Sequence, residues 1–483
     1  DRRPETGDRR PETGDRRPET GDRRPETGDR RPETGDRRPE TGDRSVFGLS
    51  PEWLLYNGQP IADSLILAHH TEFERLMALT PAATGTAVVA GDPAYDRMLA
   101  SRHHRHRYRE ALGVAPDQTL LTLCSTWSPR SLMGTWPELF REVLACLDRD
   151  RHRVAALIHP NIWHGHGPWQ VHSWLADCVR AGLLLPPPAE GWQATLLASD
   201  IVLGDHGATT CYAASLDLPV VLATFPEDDV AAGSAGAVLG QLARRLNRHE
   251  SLATQIDRAR TEYRRGTFTP LRDLVSSYPG EAVERIRALC YRHLRLAVPN
   301  TPPVTTVIPA ELVATVPRSA VAADHTVCGL NDGTTDDESP SAVITRYPAD
   351  VIVDRSRAGY LDPAFLVVHE DHPQEALRGI APVIIIGTPA AGQDAPTALA
   401  DAFARFPRAS VAAVRVAEHS VIATRDGRMI TASTPDPGIS AAVVWQWLLT
   451  RTDQPLPETV SVAVGHTTLR LELRSVLEAE PGT

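Results

Sequence analysis

Short apolar runs alternate with stretches of helical periodicity between residues 51 and 298. Five of these runs have the composition of buried strands: Leu120–Trp127, Arg153–His159, Leu183–Leu185, Ile201–Leu203 and Pro219–Thr224. Segments such as TWPELFREVLACL and WQVHSWLADCVRAG, which lie between them, have the pattern of amphipathic helices. Apolar strands that alternate with helices indicate a parallel, doubly wound sheet with helices on both faces. The pattern therefore predicts a Rossmann-like α/β domain over residues 45–298, mainly helical from residue 235 onward.

The pattern changes after this domain. Residues 299–340 are rich in Pro, Thr and Asp and are predicted to form a linker. Apolar runs return over residues 341–483, and HSVIATRDGRMITAS places Asp426-Gly427 between two alternating runs, as in a β-hairpin. These residues predict a smaller C-terminal α+β domain, and its sequence carries no catalytic signature.

Residues 1–42 are six identical copies of DRRPETG, followed by Asp43-Arg44. Each copy contains a proline and a glycine but no large apolar residue, so burial cannot offset the entropy lost on ordering. No position of the repeat is apolar, which argues against a coiled coil. Residues 1–44 are therefore predicted to be a disordered tandem repeat.

Charge and composition limit the classes of function that the protein can have. The chain has 483 residues, a formal net charge of −11 and a pI near 5.9, which argues against a nucleic-acid partner. Its six cysteines are scattered without a CxxC pair, so neither a disulfide framework nor a zinc finger is predicted. No apolar run approaches about 18 residues, and no signal peptide is recognised. We therefore expect no integral membrane segment and a cytoplasmic location.

Two polar segments follow predicted strands, HPNIWHGHG at residues 159–167 and GDHGATT at residues 204–210. In an open parallel sheet, ligands bind beyond the carboxyl ends of the strands, near the switch in strand order. Small residues allow a ligand close to the backbone, and the N–H groups of a following helix favour an anion. The alternative is a capped helix, with Asp205 or Thr209 as N-cap and Gly207 as the turn glycine. The second polar segment favours a phosphate site.

Histidines are frequent in and around these segments, which raises the question of a metal. His164 and His166 alternate with Gly165 and Gly167, which indicates a loop rather than a rigid ligand platform. The sequence therefore predicts neither a metal site nor a cofactor. GxSxG, GxxxxGK[ST] and HExxH are absent, which argues against the common hydrolase, P-loop and zincin chemistries.

Two further clusters leave alternatives open. The basic run at residues 102–107, RHHRHR, reads as the solvated start of a helix, or as a surface with weak attraction for anionic lipid or substrate. Peripheral contact with the inner membrane face thus stays open. Asp92 and Asp96, in GDPAYD, fit either substrate contacts or turn and cap residues.

The order of GDPAYDRML, LLTLCSTW, LIHPN and ASDIVLGDHGATTCYAASLDLPVVL resembles the C-terminal half of GT-B-type transferases. The likeness covers residues 60–295 and is greatest to the CDP-glycerol glycerophosphotransferases of teichoic-acid synthesis; UDP-N-acetylglucosamine 2-epimerases are the second choice. It implies half of a GT-B fold, a nucleotide-activated donor and a cell-envelope polymer as acceptor. It also implies that His69 and His70, in DSLILAHHTEF, are catalytic residues facing the cleft. The implied donor-binding residues are His159, Asn161, Asp205, His206, Gly207, Thr209 and Thr210.

The sequence also departs from that family. The family's Tyr-Ser-Ser after the aspartate is His206-Gly207-Ala208 here, so two hydroxyl donors are missing. Residues 1–44 do not supply the acceptor-binding Rossmann half that such enzymes carry. Three functions follow: glycosyl or glycerophosphoryl transfer from a nucleotide-activated sugar or polyol phosphate, non-catalytic nucleotide-sugar binding or scaffolding, and epimerisation or hydrolysis of a nucleotide sugar.

Overall fold

A computed structural model of the protein describes residues 48–314, 322–331, 340–351, 364–389 and 392–475. The repeat predicted to be disordered lies outside these residues. The strands of the first part of the chain are β1 Leu55–Tyr56, β2 Gln59–Pro60, β3 Leu65–Leu67, β4 Ala87–Val89, β5 Thr119–Ser125, β6 His152–Ile158, β7 Ile201–Gly204, β8 Val220–Leu222 and β9 Arg244–Arg245. The strands of the second part are β10 Ala323–Asn331, β11 Ser341–Pro348, β12 Ala364–His369, β13 Val383–Ile386, β14 Val411–Val416, β15 His419–Thr424, β16 Met429–Ala432, β17 Thr459–Val464 and β18 Thr467–Ser475.

The helices of the first part are α1 Pro51–Leu54, α2 His70–Leu79, α3 Pro93–Ser101, α4 Arg105–Ala111, α5 Leu132–Thr135, α6 Leu139–Cys146, α7 Pro160–His166, α8 Pro168–Trp174, α9 Ala176–Arg180, α10 Trp192–Ala198, α11 Ala208–Ser215, α12 Ala235–Leu242, α13 Leu252–Thr261, α14 Thr269–Arg272, α15 Ala282–Leu294 and α16 Glu311–Ala314. The helices of the second part are α17 Glu375–Ile380, α18 Ala395–Arg405 and α19 Pro437–Thr450. Short 3₁₀ turns occupy Pro81–Thr86, Arg102–His104 and Glu227–Asp229.

The first part is organised around a parallel sheet in the order β6-β5-β7-β8-β9. Leu121 and Leu123 of β5 pack into one apolar cluster, while Leu120 and Cys124 pack into another. Because β5 is buried on both faces, its sequence is almost continuously apolar, as expected for a parallel strand between helix layers. The predicted mixed α/β architecture with a parallel sheet is therefore confirmed.

Two local predictions in this part were wrong. The run Leu183–Leu185 is not a full strand: it contributes a single parallel bridge, between Leu184 and Ala155 of β6. The stretch QLARRL, residues 241–246 of the region predicted to be mainly helical, is not helical throughout, because α12 ends at Leu242 and Arg244 and Arg245 form the edge strand β9 beside β8. Pairing with the sheet edge supplies the backbone hydrogen bonds that another helical turn would have formed.

Nine strands of the described residues form a closed barrel in the order β10-β11-β17-β18-β16-β15-β14-β13-β12. Helix α19 packs its apolar residues into one buried cluster with side chains from these strands. The predicted hairpin is confirmed, since β15 and β16 pair antiparallel around Gly427, whose φ of 93° suits glycine. Strand β10 lies within residues 299–340, where the composition had indicated a linker, and pairs there with β11 and β12.

Buried and half-buried ion pairs join the turn before β6 to the barrel. The guanidinium of Arg346 donates to both carboxylate oxygens of Asp150 at 2.6 and 2.9 Å and to Asp436 at 3.0 Å. Arg149 donates to the buried Asp324 at 2.7 Å. Arginine suits this position because its planar fork can satisfy two carboxylates at once.

We expect Arg346→Met to destabilise the chain by about 3 kcal/mol, because removing the guanidinium leaves the largely buried Asp150 carboxylate and the partly exposed Asp436 carboxylate without this counter-charge. The measurement is urea unfolding of the full chain, followed by circular dichroism. The matched control is Arg415→Met, whose pair with Glu418 is 60% and 89% exposed; there we expect a change of at most about 0.5 kcal/mol. Equal midpoints for the two variants would contradict the importance of this junction.

Candidate functional site

The carboxyl ends of three neighbouring strands are tied together by hydrogen bonds. The backbone N–H of His159, after β6, donates to the carbonyl of Ser125 at the end of β5 at 3.0 Å. Asp205, after β7, accepts hydrogen bonds through Oδ2 from the N–H groups of Thr126 at 2.8 Å and Leu132 at 2.9 Å. The strand order changes direction between β5 and β7, so these bonds lie at the switch point where open parallel sheets bind ligands.

Asp205 is fully buried, and both of its oxygens are engaged with backbone. In addition to the two bonds to Oδ2, Oδ1 accepts from the Gly207 N–H at 3.0 Å. Three backbone N–H groups replace the water that burial has removed from this carboxylate. The structure thus places Asp205 beneath the corner, as the support of its loops, rather than as a group that faces a ligand.

Gly207 is where the corner begins its helix. It is the N-cap of α11, and no side chain caps that helix, so the alternative with Asp205 or Thr209 as N-cap was wrong. A Cβ at residue 207 would lie 2.9 Å from the Cβ of Thr126 and 3.0 Å from Oδ1 of Asp205. Glycine is required here because the backbone approaches the neighbouring loop closely.

The first turn of α11 has hydrogen-bonding capacity that the protein does not use. Among the described residues, no acceptor is found for the backbone N–H groups of Ala208 and Thr209. In the same part of the chain, Nδ1 of His206 and Oγ1 of Thr210 are buried without a hydrogen-bond partner. Unpartnered buried polar atoms are uncommon in native proteins and call for an explanation such as a ligand. The corner formed by residues 204–210, hereafter the anion corner, can accept a group rich in oxygen lone pairs.

His159 presents one further donor at the neighbouring strand end. Its Nδ1 accepts a hydrogen bond from the N–H of Asn161 at 3.1 Å, which caps α7. Burial lowers the pKa of His159, and the Asp205 carboxylate opposes this shift only in part. The ring is therefore neutral at pH 7, and with Nδ1 acting as acceptor its proton lies on Nε2. Asn161 itself is exposed and supplies its backbone to this cap.

His69 and His70 are engaged in local structure. His69 is the N-cap of α2, and its Nδ1 accepts from the Thr71 N–H at 3.1 Å. The ring of His70 forms a hydrogen bond between Nε2 and the Tyr278 hydroxyl at 3.0 Å, and its backbone N–H donates to Ser277. Within the described residues these bonds anchor α2 and do not reach the anion corner. A catalytic role of either histidine stays a prediction.

The two aspartates of GDPAYD are capping residues. Asp92 is the N-cap of α3 and also accepts a hydrogen bond from the hydroxyl of Tyr212 in α11. Asp96 is buried and accepts from the N–H groups of Gly280, at 2.6 Å, and Ala282, at 2.9 Å, where α15 begins. Of the two alternatives for these aspartates, the structure supports the capping role.

An aromatic cleft of about 460 Å³, which no sequence motif had indicated, lies beside the loop that follows β5. Trp127, Phe140, Ile162 and Trp174 contribute its apolar walls, and Ser131 contributes to its polar rim. The available signal was the tryptophan at the end of LLTLCSTW, since a large aromatic side chain directly after a buried strand lies at the ligand-binding edge. The loop 126–132 borders both this cleft and the bonds to Asp205.

The other histidines do not converge. His164 and His166 are exposed on α7. Over the described ranges, no group of three or more His, Cys, Asp or Glu side chains is placed to hold a metal ion. Burial, with a smaller contribution from Asp205, raises the pKa of the Cys211 thiol to about 12, so this thiol is protonated at neutral pH. Within the described part of the chain, no helix has the length and apolar character needed to span a bilayer.

Neither a protein-family model nor a curated protein sequence matches the chain. Solved structures that are similar to it include the wall teichoic acid polymerase TagF, with 14% identity, 48% of this chain and 58% of that chain covered, and a TM-score of 0.36. A glycosyltransferase from Rickettsia africae is similar at 10% identity, with coverages of 50% and 65% and a TM-score of 0.30.

The UDP-GlcNAc 2-epimerase from Neisseria meningitidis, solved with UDP-GlcNAc, is similar at 12% identity, with coverages of 48% and 61% and a TM-score of 0.29. Both families named on the motifs are thus among the proteins with which structural similarity is found. The chain spans 58–65% of the length of these three proteins.

We expect Asp205→Asn to destabilise the chain by about 2–4 kcal/mol, because the amide cannot accept at both positions and turns an N–H₂ group toward backbone donors. Urea unfolding measures the loss. The control is Asp394→Asn at the exposed N-cap of α18, where the amide oxygen of Asn can still accept from the Thr397 N–H and a much smaller loss is expected. Equal losses in the two variants would contradict the supporting role of Asp205.

Proposed function

We propose that the anion corner binds the phosphates of a nucleotide-activated sugar or polyol phosphate. The observation that carries the proposal is the set of unused polar groups in one turn: the free N–H groups of Ala208 and Thr209 and the buried, unpartnered atoms of His206 and Thr210. The positive end of the α11 dipole adds to their attraction for an anion. The position at the strand-order switch supports the same assignment.

Each predicted donor-binding residue has a distinct role in this proposal. The N–H of Thr209 and the side chains of His206 and Thr210 bind phosphate oxygens, and Nε2 of His159 donates from the adjacent strand end. Gly207 gives the phosphate access to the backbone, and Asp205 holds the loop in place. Asn161 acts through its backbone, which fixes the tautomer of His159.

The reaction that suits this arrangement is transfer of the glycosyl or glycerophosphoryl group from the donor to an acceptor, such as a cell-envelope polymer. Hydrogen-bond donors that point at the phosphates stabilise the negative charge that develops on them as the bond to the transferred group breaks. Residues 45–298 would then be the donor half of a GT-B fold. His69 could act as the base only after giving up a present hydrogen bond, because its Nδ1 lone pair accepts from the Thr71 N–H, and His70 is held by the bond between Nε2 and the Tyr278 hydroxyl.

That engagement favours the second candidate, a protein that binds a nucleotide sugar without turning it over. The departure of His206-Gly207-Ala208 from the family's hydroxyl-bearing triplet points in the same direction. A donor-turnover assay separates the candidates. Transfer requires an acceptor, epimerisation or hydrolysis proceeds without one, and a binding protein leaves the donor unchanged.

Binding is tested by isothermal titration of the full chain with CDP-glycerol and with UDP-sugars. We expect His159→Ala and His206→Ala each to weaken binding roughly 10- to 100-fold, the effect of losing one hydrogen bond to a charged group. His164→Ala is the matched control. His164 lies exposed on α7, the helix that His159 caps, and its replacement should leave the affinity unchanged. Absence of binding to every donor would overturn the proposal.

A further inference from the structure

The walls of the aromatic cleft beside the loop after β5 are held in place by hydrogen bonds within the protein. Ser131 caps α5, since its Oγ accepts from the N–H of Gly134 at 3.1 Å. Arg141 of α6 donates to the carbonyl of Trp174, where α8 ends, at 2.8 Å. The cleft therefore needs no ligand to set its shape, which is usual for small-molecule sites.

Two indole rings of the cleft are open to solvent. Trp127 and Trp174 are 42% and 38% exposed, although a tryptophan side chain carries one of the largest apolar surfaces that a protein can bury. The rings of His166 and Trp174 pack edge to face, with their centroids 4.9 Å apart. A ligand that covered the open indole surface would remove it from water, which stabilises binding.

The polar groups of the cleft suit a neutral ligand that is rich in oxygen. Arg141 is the permanently charged residue of the lining, and Asp177 neutralises it through hydrogen bonds of 2.6 and 2.9 Å. The hydroxyl oxygens of Ser128 and Ser131 each accept from a backbone N–H. Within the part of the chain that the structure describes, neither hydroxyl proton has an acceptor. Both serines are therefore available as donors to the oxygens of a ligand.

We propose that the aromatic cleft binds a neutral saccharide through the flat faces of its pyranose rings. The C–H groups on one face of a β-linked pyranose pack on an indole ring, while the sugar oxygens accept from the two serines. The volume of about 460 Å³ lies within the roughly 300–1,000 Å³ that is usual for small-molecule sites. An acyl chain would leave the serine donors unpaired, and an anionic ligand would find the arginine already neutralised.

The position of the cleft connects this saccharide with the anion corner. Thr126, the neighbour of Trp127 in the loop, lies against Gly207 of the anion corner. A sugar in the cleft would therefore lie near the phosphates of a bound donor, where an acceptor is needed. This role as acceptor rests on the proposed function, whereas saccharide binding itself does not.

Saccharide binding is tested without any nucleotide. The full chain, isotopically labelled on its tryptophan indole nitrogens, is titrated with cellobiose and with di-N-acetylchitobiose while the indole N–H resonances are followed by NMR. Trp127→Phe, Trp174→Phe and Trp169→Phe assign three of these resonances by their loss. We expect at least one sugar to shift the Trp127 and Trp174 resonances. The resonance of Trp169, which lies exposed on α8 outside the lining of the cleft, should stay unchanged.

Isothermal titration with the sugar that binds measures what each ring contributes. We expect Trp127→Ala and Trp174→Ala each to weaken binding about tenfold, because each removes one stacking face. Trp169→Ala is the matched control and should bind like the wild type. Thermal unfolding establishes that each variant is folded, and the resonance shifts of the wild type need no destabilised variant.

Two results would overturn the saccharide site: no shift of the Trp127 and Trp174 resonances with either sugar, or a shift with cytidine or uridine alone, which would assign the cleft to a nucleobase. Failure here is distinguishable from failure of the proposed function. Sugar binding by a chain that binds no nucleotide donor would contradict only the proposed function. Donor binding by a chain that binds neither sugar would contradict only the saccharide site.

Discussion

The buried carboxylate of Asp205 is the interaction on which the ligand-binding edge of the sheet depends. One charged group accepts three backbone hydrogen bonds, two from the loop after β5 and one from the start of α11. Without it, the amides of that loop would be buried unpaired and the two strand ends would separate. The close approach at Gly207 and the unused donors of α11 both follow from this fixed geometry. The Asp205 carboxylate thus fixes the geometry of the anion corner. Its own oxygens are occupied by backbone N–H groups, while the N–H groups at the start of α11 stay available to an anion.

The sequence was most informative where burial dictates composition. Strands β5 to β8 could be located because a parallel strand covered on both faces must be apolar at nearly every position. Leu183–Leu185 shares that composition but forms one bridge, which local apolar content cannot distinguish from a strand. The roles of Asp205 and His159 could not be read from residue types, since a carboxylate or imidazole at a strand end can face either the backbone or a ligand. The hydrogen-bond partners decide between these two roles.

The barrel shows a different limit. Its closure depends on pairs such as Ser341 with Ser461, which are far apart in the chain. A hairpin such as β15–β16 can be predicted from its turn residues, whereas a parallel pair of distant strands has no sequence signal within either strand. The ion pairs that join the barrel to the first part of the chain are equally hard to predict. Nothing near Arg346, Asp150 or Asp436 in the sequence indicates that the fold brings them together. Composition could therefore indicate most of the barrel's strands, but it could identify neither β10 nor the neighbours of each strand.

The cap that His159 forms on α7 bears on what the anion corner can distinguish. With Nδ1 committed to the Asn161 amide, the ring offers a proton and cannot accept one at that atom. The free amides of α11 are donors as well, and the nearby carboxylate is already saturated. Backbone and imidazole N–H donors favour a fully ionised oxyanion, and a protonated oxygen would have to turn to an acceptor such as the Thr210 hydroxyl. A site of this kind would sense the ionisation state of its ligand while remaining indifferent to the identity of the central atom.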